Sequence, residues 1–173
     1  MFVLGIDPGV TRCGYGCVHR TLGGQVTATA AGVLVTPPAD PLPARLAGLH
    51  GDLAALLADL RPDVVVVERV LFSANARTAM ATGQASGLAL ALAHAAGCVV
   101  ATYSPNEVKL AVAGHGGADK QQVQRMVATL LGLDRAPRPA DAADALALAL
   151  THLALARIPA LAAGPVAGLG RRP

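Results

Sequence analysis

Residues 63–68 read Asp-Val-Val-Val-Val-Glu. Four consecutive β-branched residues without polar alternation suit a strand covered on both faces, so helices must pack on each side of the sheet that holds it. The neighbouring patterns supply them. Leucines 42, 46, 49, 53, 56, 57 and 60 recur at helical spacing and stop before Arg61-Pro62, which predicts an amphipathic helix. Further helices are expected over 76–96, 105–113, 119–131 and 140–157, and a strand in CVVATYS, 98–104. Ahead of them, 2–7, 14–19 and 26–35 read as three strands joined by turn material at Pro8-Gly9 and Gly23-Gly24, a meander. A meander followed by alternating helix and strand predicts an α/β fold, a mixed five-stranded sheet flanked by helices.

A chain of 173 residues fits one domain able to bury a core without disulfides or structural metals. The expected division is a folded domain over 1–157 and a mobile, Pro/Gly/Ala-rich tail over 158–173 with a basic end. Hydrophobic residues make up 53%, much of it alanine, a helix former. Residues 79–106 carry no Asp, Glu, Lys or Arg, yet Gln84, Ser86, His94 and the break at Gly97 favour a buried helix and strand over a membrane span. No basic start leads into an apolar core and small-residue cleavage site, so the cytoplasm is the expected compartment. Cys13, Cys17 and Cys98 have no zinc-type spacing and read as reduced packing residues. A net charge of +3 points weakly to a polyanionic partner.

Of eleven acids, seven have a local explanation. Glu107 in Ser-Pro-Asn-Glu completes a capping box with Ser104, and Asp119 with Gln122 forms a similar pattern. Asp52 and Asp59 lie on a helix face, Asp40 and Asp134 in turns, and Asp63 at a strand entrance. Four acids are left. Asp7 and Glu68 end apolar strands, where a buried carboxylate is costly without a positive partner or hydrogen bonds. Asp141 and Asp144 are three apart at the start of an apolar helix, hence on one face, where the helix N-terminus alone would favour them. Taken together, four such carboxylates repel one another unless a divalent cation sits among them, and Mg²⁺ prefers these oxygens. A pair of such ions suits phosphodiester hydrolysis.

The ordered set GIDPG with GYG after it, VVVVERVLFSAN, TGQASG, YSPNEVKLAVAGHGGADKQQVQRMV and DAADALALALTHL resembles the RuvC crossover (Holliday) junction endodeoxyribonucleases, members of the ribonuclease H-like superfamily. The resemblance extends to about residue 157. It places the family's acidic tetrad on Asp7, Glu68, Asp141 and Asp144, the acids already set apart by context. It implies a cytoplasmic homodimer that makes paired, symmetric nicks in four-way junction DNA during recombination and repair, working with the branch-migration proteins RuvA and RuvB. It also implies Mg²⁺ as cofactor, two ions per site with Mn²⁺ able to substitute, water as nucleophile, and preference for a short T-containing target.

Basic residues that contact DNA in the family fall here on Lys109 and Lys120, the chain's two lysines, with Arg69 and Arg77 as further candidates. An aromatic residue that stacks on a junction base is common three positions after the second acid. Here Leu71 stands at that position and Phe72 follows, so Phe72 is either its replacement or a core residue. Gly5 and Gly9 either let a phosphate approach the backbone or are ordinary turn glycines. The TGQASG segment and the helix it opens are a candidate two-fold interface. His115 reads as a loop residue and His152 as core or surface. Two other readings compete with a nuclease. An actin-like kinase or ATPase also begins with an acid ending a strand before a glycine turn, but needs a second domain and phosphate loop. A catalytically inactive junction-binding module would keep the acids for structure alone.

Overall fold

The computed structural model describes residues 1–70 and 76–156, with side chains from 79 onward in the second stretch. The expected tail over 158–173, the pair Leu71 and Phe72, and the Arg77 side chain therefore lie outside the described residues. Five strands, β1 (Phe2–Asp7), β2 (Arg12–Arg20), β3 (Val26–Val35), β4 (Val64–Glu68) and β5 (Val99–Tyr103), form one sheet in the order β3-β2-β1-β4-β5. Five helices complete the fold: α1 (Leu42–Leu60), α2 (Ala76–Ala95), α3 (Pro105–Ala113), α4 (Lys120–Leu131) and α5 (Ala140–Leu155). The mixed five-stranded sheet with helices on both faces is the one expected. β2 starts two residues earlier than its sequence pattern, because pairing with β3 runs on to Arg12 opposite Val35.

β1 pairs antiparallel with β2 and parallel with β4, and β4 parallel with β5. The valine run thus occupies an interior strand, with Val64 to Val67 all buried. Its side chains divide by parity. Val64 and Val66 join Val3, Val18 and the α5 residues Leu146 and Leu148 in one core cluster, with α3 and α4. Val65 and Val67 join Leu4, Ile6 and the α1 leucines 49, 53 and 57 on the opposite face. At about 1.5–3 kcal/mol for each large side chain fully buried, these two layers hold the sheet from both sides.

Three glycines set how deeply α5 lies on the sheet. Gly5 and Gly16 are paired across β1 and β2, and Gly14 pairs with Asp7. A Cβ at Gly5 would stand 1.9 Å from the Ala145 carbonyl oxygen, one at Gly14 2.3 Å from that of Asp141, and one at Gly16 2.6 Å from the Leu146 side chain. Only bare backbone fits beneath the helix. This corrects the expectation for Gly5, whose missing side chain makes room for α5 and not for a phosphate. At Gly9 the turn reading holds, since a Cβ there would meet the Arg12 carbonyl oxygen at 2.3 Å.

Both expected helix starts are capped as read. Ser104 and Glu107 form a reciprocal capping box on α3, and Asp119 and Gln122 one on α4. They fix the first turns of the helices that carry Lys109 and Lys120. The three cysteines are free. Among the described residues, no helix is long and apolar enough to cross a membrane.

Candidate active site

Parallel pairing sets Ile6 level with Val67, so the next residues, Asp7 and Glu68, end adjacent strands side by side. Both share the parity of Val3, Val64 and Val66 and so face α5. The first turn of α5 lies over the Asp7–Gly14 pair and brings Asp141 and Asp144 to the same end of the sheet. Four carboxylates from three elements converge there.

Their electrostatics show the crowding. Burial, followed by the charges of Asp144 and Asp141, pushes the Asp7 carboxyl up to about 6. Burial, followed by the charges of Asp7 and Asp144, pushes Glu68 up to about 7. Lys120 opposes both shifts. Its ammonium lies 2.6 Å from the Asp144 carboxylate, which in turn raises the lysine pKa. Asp141 is satisfied separately by Arg12, whose Nη2 and Nε donate to one carboxylate oxygen at 2.8 and 3.2 Å. That hydrogen bond holds Asp141 below the usual carboxylate range. With two acids turned toward cations, no group of three His, Cys, Asp or Glu side chains among the described residues is arranged to hold a metal ion.

A cleft of about 220 Å³ opens beside the acids, lined by Glu68, Asp144, Lys109 and Lys120 over an apolar floor that includes Val108 and Val123. Both lysines therefore border the carboxylates as expected, although Lys120 is also the partner of Asp144. Arg69 stands just past Glu68, where it donates to the Thr102 carbonyl at 3.1 Å and lies 3.5 Å from the capping carboxylate of Glu107. His115 is an exposed loop residue. His152 is half-buried, its Nδ1 3.0 Å from the Tyr103 hydroxyl, away from the acids' own hydrogen bonds. Arg12 escaped the sequence reading. Its signal was a cation closing the turn after the first acid, in Asp-Pro-Gly-Val-Thr-Arg, with nothing local to pair with.

A meander extended by two parallel strands, with carboxylates gathered where β1 and β4 end and on the helix crossing them, is the architecture of the ribonuclease H-like nucleases. A sequence model described as "Crossover junction endodeoxyribonuclease RuvC" matches residues 3–152. A protein of that name from Salinispora arenicola is 55% identical over 153 residues, 88% of this chain and 87% of its own length. The solved Thermus thermophilus RuvC structure is 40% identical, with a TM-score of 0.84 over 92% of this chain and 97% of that one. T. thermophilus RuvC in complex with a Holliday junction substrate is similar at a TM-score of 0.82 and 38% identity, covering 91% and 96% of the two chains. The chain belongs to the RuvC family of crossover junction endodeoxyribonucleases.

Proposed function

We propose that this chain resolves four-way (Holliday) DNA junctions by paired, symmetric nicks in recombination and repair. The observation that carries the reading is the convergence of Asp7, Glu68, Asp141 and Asp144 beside a lysine-lined cleft, in a chain of this family. The donor set suits a hard divalent cation. All four groups are carboxylates, and two have pKa values raised in part by their neighbours, a cost that a cation among them relieves. Once Asp141 and Asp144 exchange Arg12 and Lys120 for metal, these four residues would hold Mg²⁺, as two ions with Mn²⁺ able to substitute, and the metal would supply Lewis-acid stabilisation of the phosphodiester and activation of water. Lys109 and Lys120 bind backbone phosphate. Without a cation, burial and the charges of Asp7 and Asp144 hold the Glu68 carboxyl near 7, and a bound cation would bring it down.

Two symmetric cuts require two sites, and an isologous dimer on a two-fold junction supplies them. Along α2, Met80, Gly83, Gln84, Gly87 and Ala91 are exposed on successive turns, and a Cβ at Gly83 or Gly87 would meet nothing within 4 Å. This face is our choice for the dimer contact, and Gly87→Arg should give a monomer in sedimentation. Family membership further supports action in the cytoplasm, with RuvA and RuvB moving the junction.

The test compares the chain with its Asp7→Asn variant on a mobile junction, a linear duplex and a flap, with and without Mg²⁺ at fixed salt. Paired, religatable nicks confined to the junction, requiring metal and absent in Asp7→Asn, support the proposal. Tight junction binding by both proteins with no cutting in Mg²⁺ or Mn²⁺ would overturn it in favour of a binding module.

A further inference from the structure

A second cleft opens at the same end of the sheet, toward α1 and α2 and away from the two lysines. It measures about 410 Å³, and its lining includes Gly9, Thr11, Arg12, Arg45 and Thr82. Arg12 joins it to the carboxylates through Asp141. Arg45 has a different setting. Its Nε donates to the Thr36 hydroxyl at 3.0 Å and its Nη2 to the Thr11 hydroxyl at 2.5 Å. Thr36 is buried and donates in turn to the Val10 carbonyl at 2.6 Å. The half-buried guanidinium is thus fixed in place by neutral oxygens. Among the described residues it has no carboxylate within ion-pair distance, whereas Arg12, Arg69 and Lys120 each have one.

Two guanidinium groups in one cleft, with Asp141 paired to only one of them, leave a net positive charge. Guanidinium N–H groups held in a fixed orientation suit the oxygens of a phosphodiester. We propose that Arg45, with Thr11 and Arg12 beside it, forms a second phosphate subsite. It would grip a backbone phosphate of the strand being cut, on the opposite side of the carboxylates from Lys109 and Lys120. The cut strand then crosses the end of the sheet from the lysine-bearing cleft to the arginine-bearing one. This inference rests on the junction-nuclease reading.

The test uses the full chain and a four-way junction, with affinity measured without metal over a series of salt concentrations. A single neutral methylphosphonate is then walked along the cut strand. For the unaltered chain, one position flanking the scissile phosphate should lose affinity several-fold when neutralised. Arg45→Gln should bind the unmodified junction more weakly, flatten the slope of log K against log salt by about 0.9, and abolish the penalty at that position alone. Arg45→Lys should keep most of the slope. Thr82→Asp places a negative charge in the cleft without removing any of the hydrogen bonds of Arg45, and should also weaken binding. It keeps the question answerable if Arg45→Gln does not fold. Unchanged slope and methylphosphonate profile in Arg45→Gln, or full affinity in Thr82→Asp, would overturn the subsite. Failure of the unaltered chain to prefer a junction over a duplex would instead overturn the reading on which it rests.

Discussion

Gly5→Ala tests whether the depth of α5 sets the geometry of the acids. The added methyl would stand 1.9 Å from the Ala145 carbonyl oxygen, 3.0 Å from its carbon and 3.1 Å from the Ala149 nitrogen. All three atoms are helix backbone and cannot rotate aside. Restoring an ordinary contact requires α5 and β1 to separate by about 1 Å or more, and overpacking of that kind costs roughly 1–3 kcal/mol. In a domain of this size each kcal/mol lowers the melting temperature by about 2–4 °C. The larger consequence falls on Asp141 and Asp144, which ride on the displaced helix, because misplacing reacting groups by about 1 Å can cost on the order of 100-fold in rate. The variant should therefore fold, melt several degrees lower, and cut a four-way junction about 100-fold more slowly. Leu153→Ala is the control. It empties a buried site near the far end of α5, at a cost of about 2–5 kcal/mol, and should leave the cutting rate within a few-fold where the protein is folded. Wild-type cutting by Gly5→Ala, or losses in the two variants that follow stability alone, would refute the reasoning.

Asp7 and Glu68 titrate near 6 and 7 in the folded chain instead of 3.8 and 4.5, so the native state binds protons more tightly than the unfolded one. The metal-free protein should lose stability as pH rises from about 4 to about 7 and level off above. Asp7→Asn removes one such group and should be more stable than wild type near pH 8, by up to ~3 kcal/mol and with a higher melting temperature, with no gain near pH 4. Lys120→Met removes the charge that opposes both shifts and should move the acid limb of the pH–cleavage profile to higher pH, as single-turnover rates across pH would show. Ser104→Ala breaks the α3 capping box and should cost about 1 kcal/mol by urea unfolding.

The elements were legible because each is written locally: leucines at helical spacing in α1, the unalternating valines of β4, and two capping boxes that need four consecutive residues each. The acids were legible by elimination, since Asp7 and Glu68 end strands with no nearby partner. What escaped depends on packing between distant segments. Arg12 meets Asp141 across 129 positions of sequence, and no local pattern links them. Gly5 looked like turn or phosphate chemistry because sequence does not say how close a helix comes to a strand. The partner that Lys120 finds in Asp144 was not legible either, because the approach of α4 to α5 that brings them together is likewise non-local.

The order in which the chain is made gives that distance a further consequence. All five strands precede residue 104, but Asp141 and Asp144 belong to the last described helix. A nascent chain whose sheet has already emerged holds Asp7 and Glu68 without the other half of the constellation, and the glycine-floored face of β1 and β2 stands uncovered. The four carboxylates come together only when α5 closes that face. Among the described residues, the helix that covers the apolar face of β1 and β2 is thus also the one that brings the second pair of carboxylates.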